Sequence, residues 1–319
     1  MRIIEVRQFG GPDVLTLVDR DIPVPGKGQV VIKVEAIGVN PVDTYIRAGT
    51  YPVLPELPYI PGGNAAGTVQ SCGEGVTELS QGQRVYTACT FGAYGEYCLC
   101  DATQVYDLPE EASFAQGATL GVPGATAWRG LFIRGLGKAG EKVLVHGASG
   151  SVGGAALQLG RAAGMEMYGT AGSEQGLKII DELGAVKSML HQGDYVDRLR
   201  AAVPGGFDLI LEMLANVNLE TDLSLLAPHG RVVIIGSRGR IEIDPRLTMG
   251  KETDIRGLAL AAASSVELKQ THAALAAAVR AGVLRPLIAA TLPLEDAPRA
   301  HQKVLEPGLN GKIILSPGL

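Results

Sequence analysis

No stretch of this chain approaches the ~20 consecutive apolar residues that cross a bilayer. Met1-Arg2 leads into no signal-peptide core, so a soluble, cytoplasmic protein is expected. An excess of positive charge is also missing. The net charge is −5 and the basic residues are scattered, which argues against a nucleic-acid groove. Cysteines number only four, Cys72, Cys89, Cys98 and Cys100. Cys98 and Cys100 would share a strand face, but no C-x-x-C pair accompanies them, so no metal-ligand spacing results. All four read as reduced, buried or half-buried thiols. What the chain does have is glycine, 43 residues of it, suited to tight turns and close backbone approach. Hydrophobic residues make up 46% of a chain of 319, enough for packed interiors and too long for one core. Two domains are expected.

The most informative stretch is 141–156, EKVLVHGASGSVGGAA. Val143, Leu144 and Val145 form the uninterrupted apolar run of a parallel strand buried on both faces. Glycines and small residues follow, then a helix-tolerant segment from Gly154 to Ala163. Strand, glycine turn and helix in that order bring unpaired amides and a helix N-terminus together, which binds phosphate. The G-x-G-x-x-G fingerprint is matched as Ala148-x-Gly150-x-x-Gly153, with alanine at the first position. A second reading is a hydrolase nucleophile elbow at Ser149, with Asp208 and His229 following in suitable chain order. Against it, Ser151 stands where that motif wants glycine.

Residues 1 to about 120 read as mostly β, with strands near 2–8, 29–36, 66–71 and 84–88 between turn residues. Pro52, Pro55, Pro58 and Pro61 mark a restricted loop suited to a cleft wall. A helix packed by small residues is expected at 124–130. Strands at 143–145, 165–170, 188–190, 207–212 and 231–236 then alternate with helices at 154–163, 174–183, 195–202 and 218–226. Such alternation means a doubly wound α/β fold with a parallel sheet. A sixth strand is expected at 254–261. The helix around 268–281 and the strand 312–315 are expected to return to the first domain.

The cofactor end has a charge signature. An NAD site carries Asp or Glu at the tip of the second strand, bonded to the ribose hydroxyl. Here that tip reads Gly169-Thr170-Ala171-Gly172-Ser173, without a carboxylate. Ser173 can donate to a phosphate and Lys178 can reach it with a full charge, which favours NADPH over NADH. Glu174 is the competing acceptor, and the other reading of Lys178 is a solvated helix face.

Four stretches together resemble one family: GVNPVDTYIR at 38–47, VHGASG at 145–150, EMLANVNL at 212–219 and GSRG at 236–239. They are similar to the zeta-crystallin type of quinone oxidoreductase, in the zinc-free branch of the medium-chain dehydrogenases/reductases. The resemblance runs nearly end to end. It implies a discontinuous, mostly β, GroES-like catalytic domain (1–120 plus 262–319) into which a Rossmann domain (121–261) is inserted. It also implies NADPH-dependent reduction of quinones in an interdomain cleft, by hydride or electron transfer, in a homodimer or homotetramer. Zinc-dependent members carry cysteine where Asn40 stands and a His-Glu pair where Gly63-Asn64 stands, so no metal is expected. Relatives often have an acidic residue at the Asn64 position, and this chain departs from them there.

Position by position, the resemblance assigns Ser149, Gly150, Ser151 and Val152 to the pyrophosphate. It puts Gly172, Ser173 and Lys178 at the adenosine phosphate, with His191 closing over that side. Asn218, Ile235, Gly236, Ser237, Arg238, Leu258, Ala259 and Leu260 line the nicotinamide half, and Tyr45 touches the cofactor from the other domain. Asn216 reads equally as a helix cap or a ligand. For catalysis, Asn40 and Tyr45 can donate to a quinone oxygen, with Tyr51 and Thr126 as second choices. Two alternatives stand beside quinone reduction. One is reduction of an enal or enone double bond; the other is a non-catalytic NADPH binder used structurally or with RNA, against which the negative charge counts.

Overall fold

The computed structural model describes residues 1–88 and 91–319; Cys89 lies outside the described residues. The chain forms two compact units, Met1–Val122 with Pro286–Leu319, and Pro123–Arg285.

The second unit is built on a six-stranded sheet. Its spatial order is Lys187–Leu190, Glu166–Ala171, Lys142–Val145, Phe207–Glu212, Leu226–Ile234 and Asp254–Gly257. All neighbours are parallel. The apolar runs are central as their composition requires: Val143, Leu144, Val145, Leu209, Ile210 and Leu211 are wholly buried. Strand order runs outward in opposite directions from Lys142–Val145 and Phe207–Glu212, so the topological switch point lies between them. Helix Ser151–Ala162 starts three residues earlier than the glycine pattern suggests, because Gly150 is its N-cap. Helix Ala215–Leu225 likewise starts at Ala215, and the sixth strand stops at Gly257. At 124–130 the α-helix is a single turn, Ala125–Trp128. Wide π turns flank it at Leu120–Gly124 and Arg129–Arg134. Pro123, which lacks an N–H, sits in the first of them.

The expected return to the first domain at 262 comes later in the structure, at Pro286. Helix Ser265–Arg280 belongs to the second unit, where Glu267 pairs with the buried Arg129. Arg129 also donates to Ala259 O at 2.7 Å. An alanine-rich helix carries no pattern that says which sheet it covers.

The first unit centres on the eleven-residue strand Gln29–Val39, which pairs antiparallel with Ala65–Cys72, Tyr97–Asp101 and Lys312–Ser316. Arg84–Thr87 and Val105–Asp107 extend one side, and Ile288–Pro293 lies parallel to Lys312–Ser316 on the other. A hairpin of Arg2–Val6 with Leu15–Asp19 stands apart from this sheet. Val30, Ile32, Val34, Ile37 and Val39 pack into one core with Ile313 and Leu315. Strands Leu15–Asp19, Tyr97–Asp101, Val105–Asp107 and Ile288–Pro293 were not anticipated. They are three to six residues long and mostly exposed or half-buried. At the end of the central strand Asn40 caps helix Pro41–Arg47, with Pro41 at the first helical position where its missing N–H costs nothing.

Candidate active site

All the residues expected at the cofactor except Tyr45 fall in the second unit. Each follows the C-terminal end of a parallel strand or lies in the helix after it: Ser149, Gly150, Ser151 and Val152 after Val145; Gly172, Ser173 and Lys178 after Ala171; His191 after Leu190; Asn218 after Glu212; Ile235, Gly236, Ser237 and Arg238 after Ile234; Leu258, Ala259 and Leu260 after Gly257. This is the end at which open α/β sheets bind ligands.

The helix N-terminus at Ser151 has no side-chain cap, so its first amides are donors without helical partners. Gly153 closes the turn. A Cβ there would stand 2.5 Å from Gly147 O and 2.6 Å from Ala148 Cα, both backbone. The turn therefore holds its glycine and aims amides and dipole at one point, which fits a pyrophosphate. At the second strand tip, Ser173 Oγ caps the next helix by accepting from Gly176 N at 3.1 Å. Its hydroxyl proton is left to donate outward, and Lys178 is exposed one turn along.

Asn216, in the first turn of helix Ala215–Leu225, accepts from Arg238 N through its Oδ1 at 2.7 Å and so ties that helix to the loop after Ile234. Asn218 is turned inward. Its Nδ2 donates to both carboxylate oxygens of Glu212, 3.2 Å each, and Leu214 N donates to Glu212 as well. Below them lies a buried cluster that the sequence reading missed. His146 Nε2 meets Asp222 Oδ1 at 2.9 Å and Nδ1 meets Thr170 Oγ1 at 3.0 Å. Burial pushes the Glu212 carboxyl up to about 7, the Asp222 carboxyl also to about 7, and the His146 imidazole down. Among the described residues Asp222 Oδ2 has no hydrogen-bond partner. His146, Glu212 and Asp222 are close enough to hold an ion, but Glu212 already accepts from Asn218 and Leu214. The arrangement is that of a hydrogen-bonded cluster. His191 stacks between His146, 5.2 Å away, and Tyr195, 4.2 Å away, and burial lowers its pKa.

In the first unit the expected catalytic residues Asn40, Tyr45 and Tyr51 lie on one helix and the turn after it; Thr50 N donates back to Tyr45 O at 3.0 Å. Tyr45 is half-buried and Tyr51 exposed. Thr126 is buried in the second unit. Asn40 is more constrained than a free donor. Lys312 Nζ donates to its Oδ1, while its Nδ2 makes long contacts to Gly38 O, 3.3 Å, and Asp43 Oδ2, 3.5 Å. Lys312 and Asp43 were not foreseen. Both are buried, which lowers the ammonium pKa and raises the carboxyl. Gly38 makes room for this: a Cβ there would lie 2.2 Å from Ala118 O and 3.0 Å from Lys312 Cε. Tyr94 OH donates to Asp43 Oδ2 at 3.3 Å and meets His301 Nε2 at 3.0 Å. Asn64 is wholly buried, and neither side-chain polar atom has a hydrogen-bond partner among the described residues.

The hydrolase reading does not survive this geometry. Asp208 Oδ2 accepts from Lys142 N at 2.8 Å, at the start of the strand whose far end leads to Ser149. His229 is exposed beside Glu252, 3.4 Å away.

Two family models match: "Alcohol dehydrogenase GroES-like domain" over residues 26–110 and "Zinc-binding dehydrogenase" over residues 151–277. The chain is 48% identical to a quinone oxidoreductase of Homo sapiens, over 99% of this chain and 97% of that protein. It is 49% identical, over the same shares, to a quinone oxidoreductase of Sus scrofa. Among solved structures, Escherichia coli quinone oxidoreductase complexed with NADPH superposes with a TM-score of 0.89. It has 29% identity and covers 99% of this chain and 100% of that one. A mycobacterial protein complexed with NADPH gives 0.92 at 31% identity, with the same coverage. The Gly153 turn, the EMLANVNL stretch and these full-length likenesses agree: the chain belongs to the zeta-crystallin type of quinone oxidoreductase within the medium-chain dehydrogenases/reductases.

Proposed function

We propose that this protein reduces quinones with NADPH and without zinc. The observation that carries the reading is the uncapped helix N-terminus at Ser151, at the switch point of the sheet, in a chain alike over its full length to quinone oxidoreductases. When bound, NADPH supplies the hydride. Ser149, Gly150, Ser151 and Val152 hold its pyrophosphate. Gly172, Ser173 and Lys178 face the adenosine phosphate, with His191 beside them. Asn218, Ile235, Gly236, Ser237, Arg238, Leu258, Ala259 and Leu260 orient the nicotinamide half, and Tyr45 touches the cofactor.

Asn40 offers the oxygen-polarising hydrogen bond. With its Oδ1 held by Lys312, its Nδ2 makes only long contacts and points a donor at a quinone oxygen. Tyr45 is the second donor, and Tyr51 and Thr126 are further candidates. Solvent protonates the reduced quinone. The reading gives no metal role to positions 40, 63 and 64, which hold Asn40, Gly63 and Asn64.

A second copy of this chain is the partner we infer, joined at the outer edge of strand Asp254–Gly257, which is the exposed end of the six-stranded sheet. We further read the chain as cytoplasmic, because the described cysteines are all free thiols; cell fractionation that recovers it elsewhere overturns this. The function is tested by NADPH oxidation over ortho-quinones, para-quinones and 2-alkenals after exhaustive chelation. Quinone turnover that survives chelation is the expected result. Turnover confined to 2-alkenals makes the chain a double-bond reductase, and activity lost on chelation and restored by zinc overturns the zinc-free reading.

A further inference from the structure

The ladder between strands Lys142–Val145 and Glu166–Ala171 ends at Val145, opposite Gly169. Beyond that pair the two chains part. One turns at Gly147, φ 60°, toward Ser149 and Gly150, and the other runs on to Gly172 and Ser173. Two bonds still join them: Ala148 N donates to Thr170 O at 2.8 Å, and His146 Nδ1 meets Thr170 Oγ1 at 3.0 Å. The turn is also seated against the strand, for a Cβ at Gly169 would stand 2.7 Å from Ala148 Cβ. The imidazole is held on its far side, where Nε2 meets Asp222 Oδ1 at 2.9 Å, on helix Ala215–Leu225. His146, Thr170 and Asp222 are all buried, so water does not compete for these bonds. The Thr170 hydroxyl can donate or accept, and the contact therefore stands with either ring nitrogen protonated.

We propose that His146 is a positioning residue for NADPH: through Thr170 it fixes the spacing between the turn that holds the pyrophosphate, 149–152, and the loop that receives the 2′-phosphate, Gly172 and Ser173. The proposal rests on the reading of those two segments as the phosphate contacts. A cofactor that spans two anchors binds best when they already stand at the right separation. Without the side-chain bond, the backbone bond from Ala148 alone ties the tip of the strand to the turn, and the cofactor has to order the loop as it binds. A ligand that touches the loop and not the turn feels no such loss. That difference separates a brace between two anchors from a residue that only keeps the loop folded.

The test compares NADPH with adenosine 2′-monophosphate, which has no pyrophosphate to place on the turn. Affinities are measured by nucleotide fluorescence for the first and calorimetry for the second, on the wild type, Thr170→Val, Thr170→Ser and Lys178→Ala. Thr170→Val keeps the side chain's shape and removes its hydroxyl. It is expected to weaken NADPH about tenfold, the scale of one hydrogen bond's net worth, and to leave adenosine 2′-monophosphate binding unchanged. Thr170→Ser restores the hydroxyl and should bind both ligands as the wild type does. Should Thr170→Val not fold, His146→Gln decides in its place: a glutamine amide reaches Asp222 and not Thr170, and the same split is expected. NADPH bound by Thr170→Val as by the wild type overturns the proposal. Equal weakening of both ligands does so too, since Thr170 then supports the loop alone. If Lys178→Ala leaves adenosine 2′-monophosphate binding unchanged, the reading of the loop as the 2′-phosphate site fails. If Lys178→Ala weakens it while Thr170→Val binds NADPH normally, only the His146 proposal fails.

Discussion

Lys178 is exposed on helix Glu174–Glu182, and its use depends on what the cofactor brings. A 2′-phosphate gives the ammonium a charge-assisted partner, and a plain ribose hydroxyl does not. Lys178→Ala is expected to raise the apparent constant for NADPH about tenfold. Turnover at saturation should stay unchanged, because the contact is uniform binding far from the hydride. NADH kinetics should not move. Steady-state measurements of both cofactors with one quinone check this, and equal weakening of the two would make Lys178 structural. Lys178 was nameable as a candidate from the sequence because its signal is local, a strand tip without a carboxylate and a lysine a turn later. Lys312 was not. Its partner Asn40 lies 272 residues away, and no spacing in the sequence joins them until Lys312–Ser316 pairs with the central strand. The same holds for His146, Glu212 and Asp222, which come from three elements and meet only at the C-terminal ends of the strands.

At the scale of the element, the turn between Lys142–Val145 and Ser151–Ala162 is set by backbone crowding. Alanine favours a helix over glycine by about 1 kcal/mol. Here that gain is opposed by contacts at 2.5 and 2.6 Å to backbone atoms that cannot swing aside. Gly153→Ala is therefore expected to open the turn and weaken NADPH and NADH alike, by tenfold or about that. Binding titrations with both cofactors distinguish it from Lys178→Ala, which discriminates between them; unchanged affinity would separate the turn from the pyrophosphate. The strand–turn–helix order was readable because hydrophobic runs and glycines are local. The helix start was read three residues late, since Ser151 and Val152 look like turn residues until Gly150 is seen as the cap. The π turns around Ala125–Trp128 had no signal at all: a wide turn changes which carbonyl each amide reaches, and leaves side-chain spacing as it was.

For the whole molecule, the alternation of strand and helix was enough to give the second unit's sheet, and the break in texture near 120 gave its start. Its end was not readable, because Ser265–Arg280 is fixed by the Arg129–Glu267 pair and not by composition. The outer strand Asp254–Gly257 is the edge we propose for a second copy. An antiparallel two-fold pairing centred on Ile255 sets Arg256 of each copy opposite Asp254 of the other, a self-complementary edge. The native mass should be a multiple of 33.2 kDa. Ile255→Lys, a charge placed on the exposed edge, should return it to that of one chain. Sedimentation equilibrium on both proteins decides, and a single-chain mass for the wild type removes the edge as an interface.

The strand Lys312–Ser316 lies between Ile288–Pro293 and Gln29–Val39, inside the first unit's sheet and not at its rim. During synthesis the long strand that begins this sheet leaves the ribosome early, and its partner on that side arrives only after some 272 further residues. At ~5–20 residues per second the wait is roughly 15–55 s. The strands of the second unit, all contained within 142–257, emerge in one block during that interval. Tyr97–Asp101 covers residues 29–33 of the same edge much sooner, so what stays unpaired for most of translation is its end at 37–39, and it is in this window, more than in the finished protein, that a folding helper has something to hold.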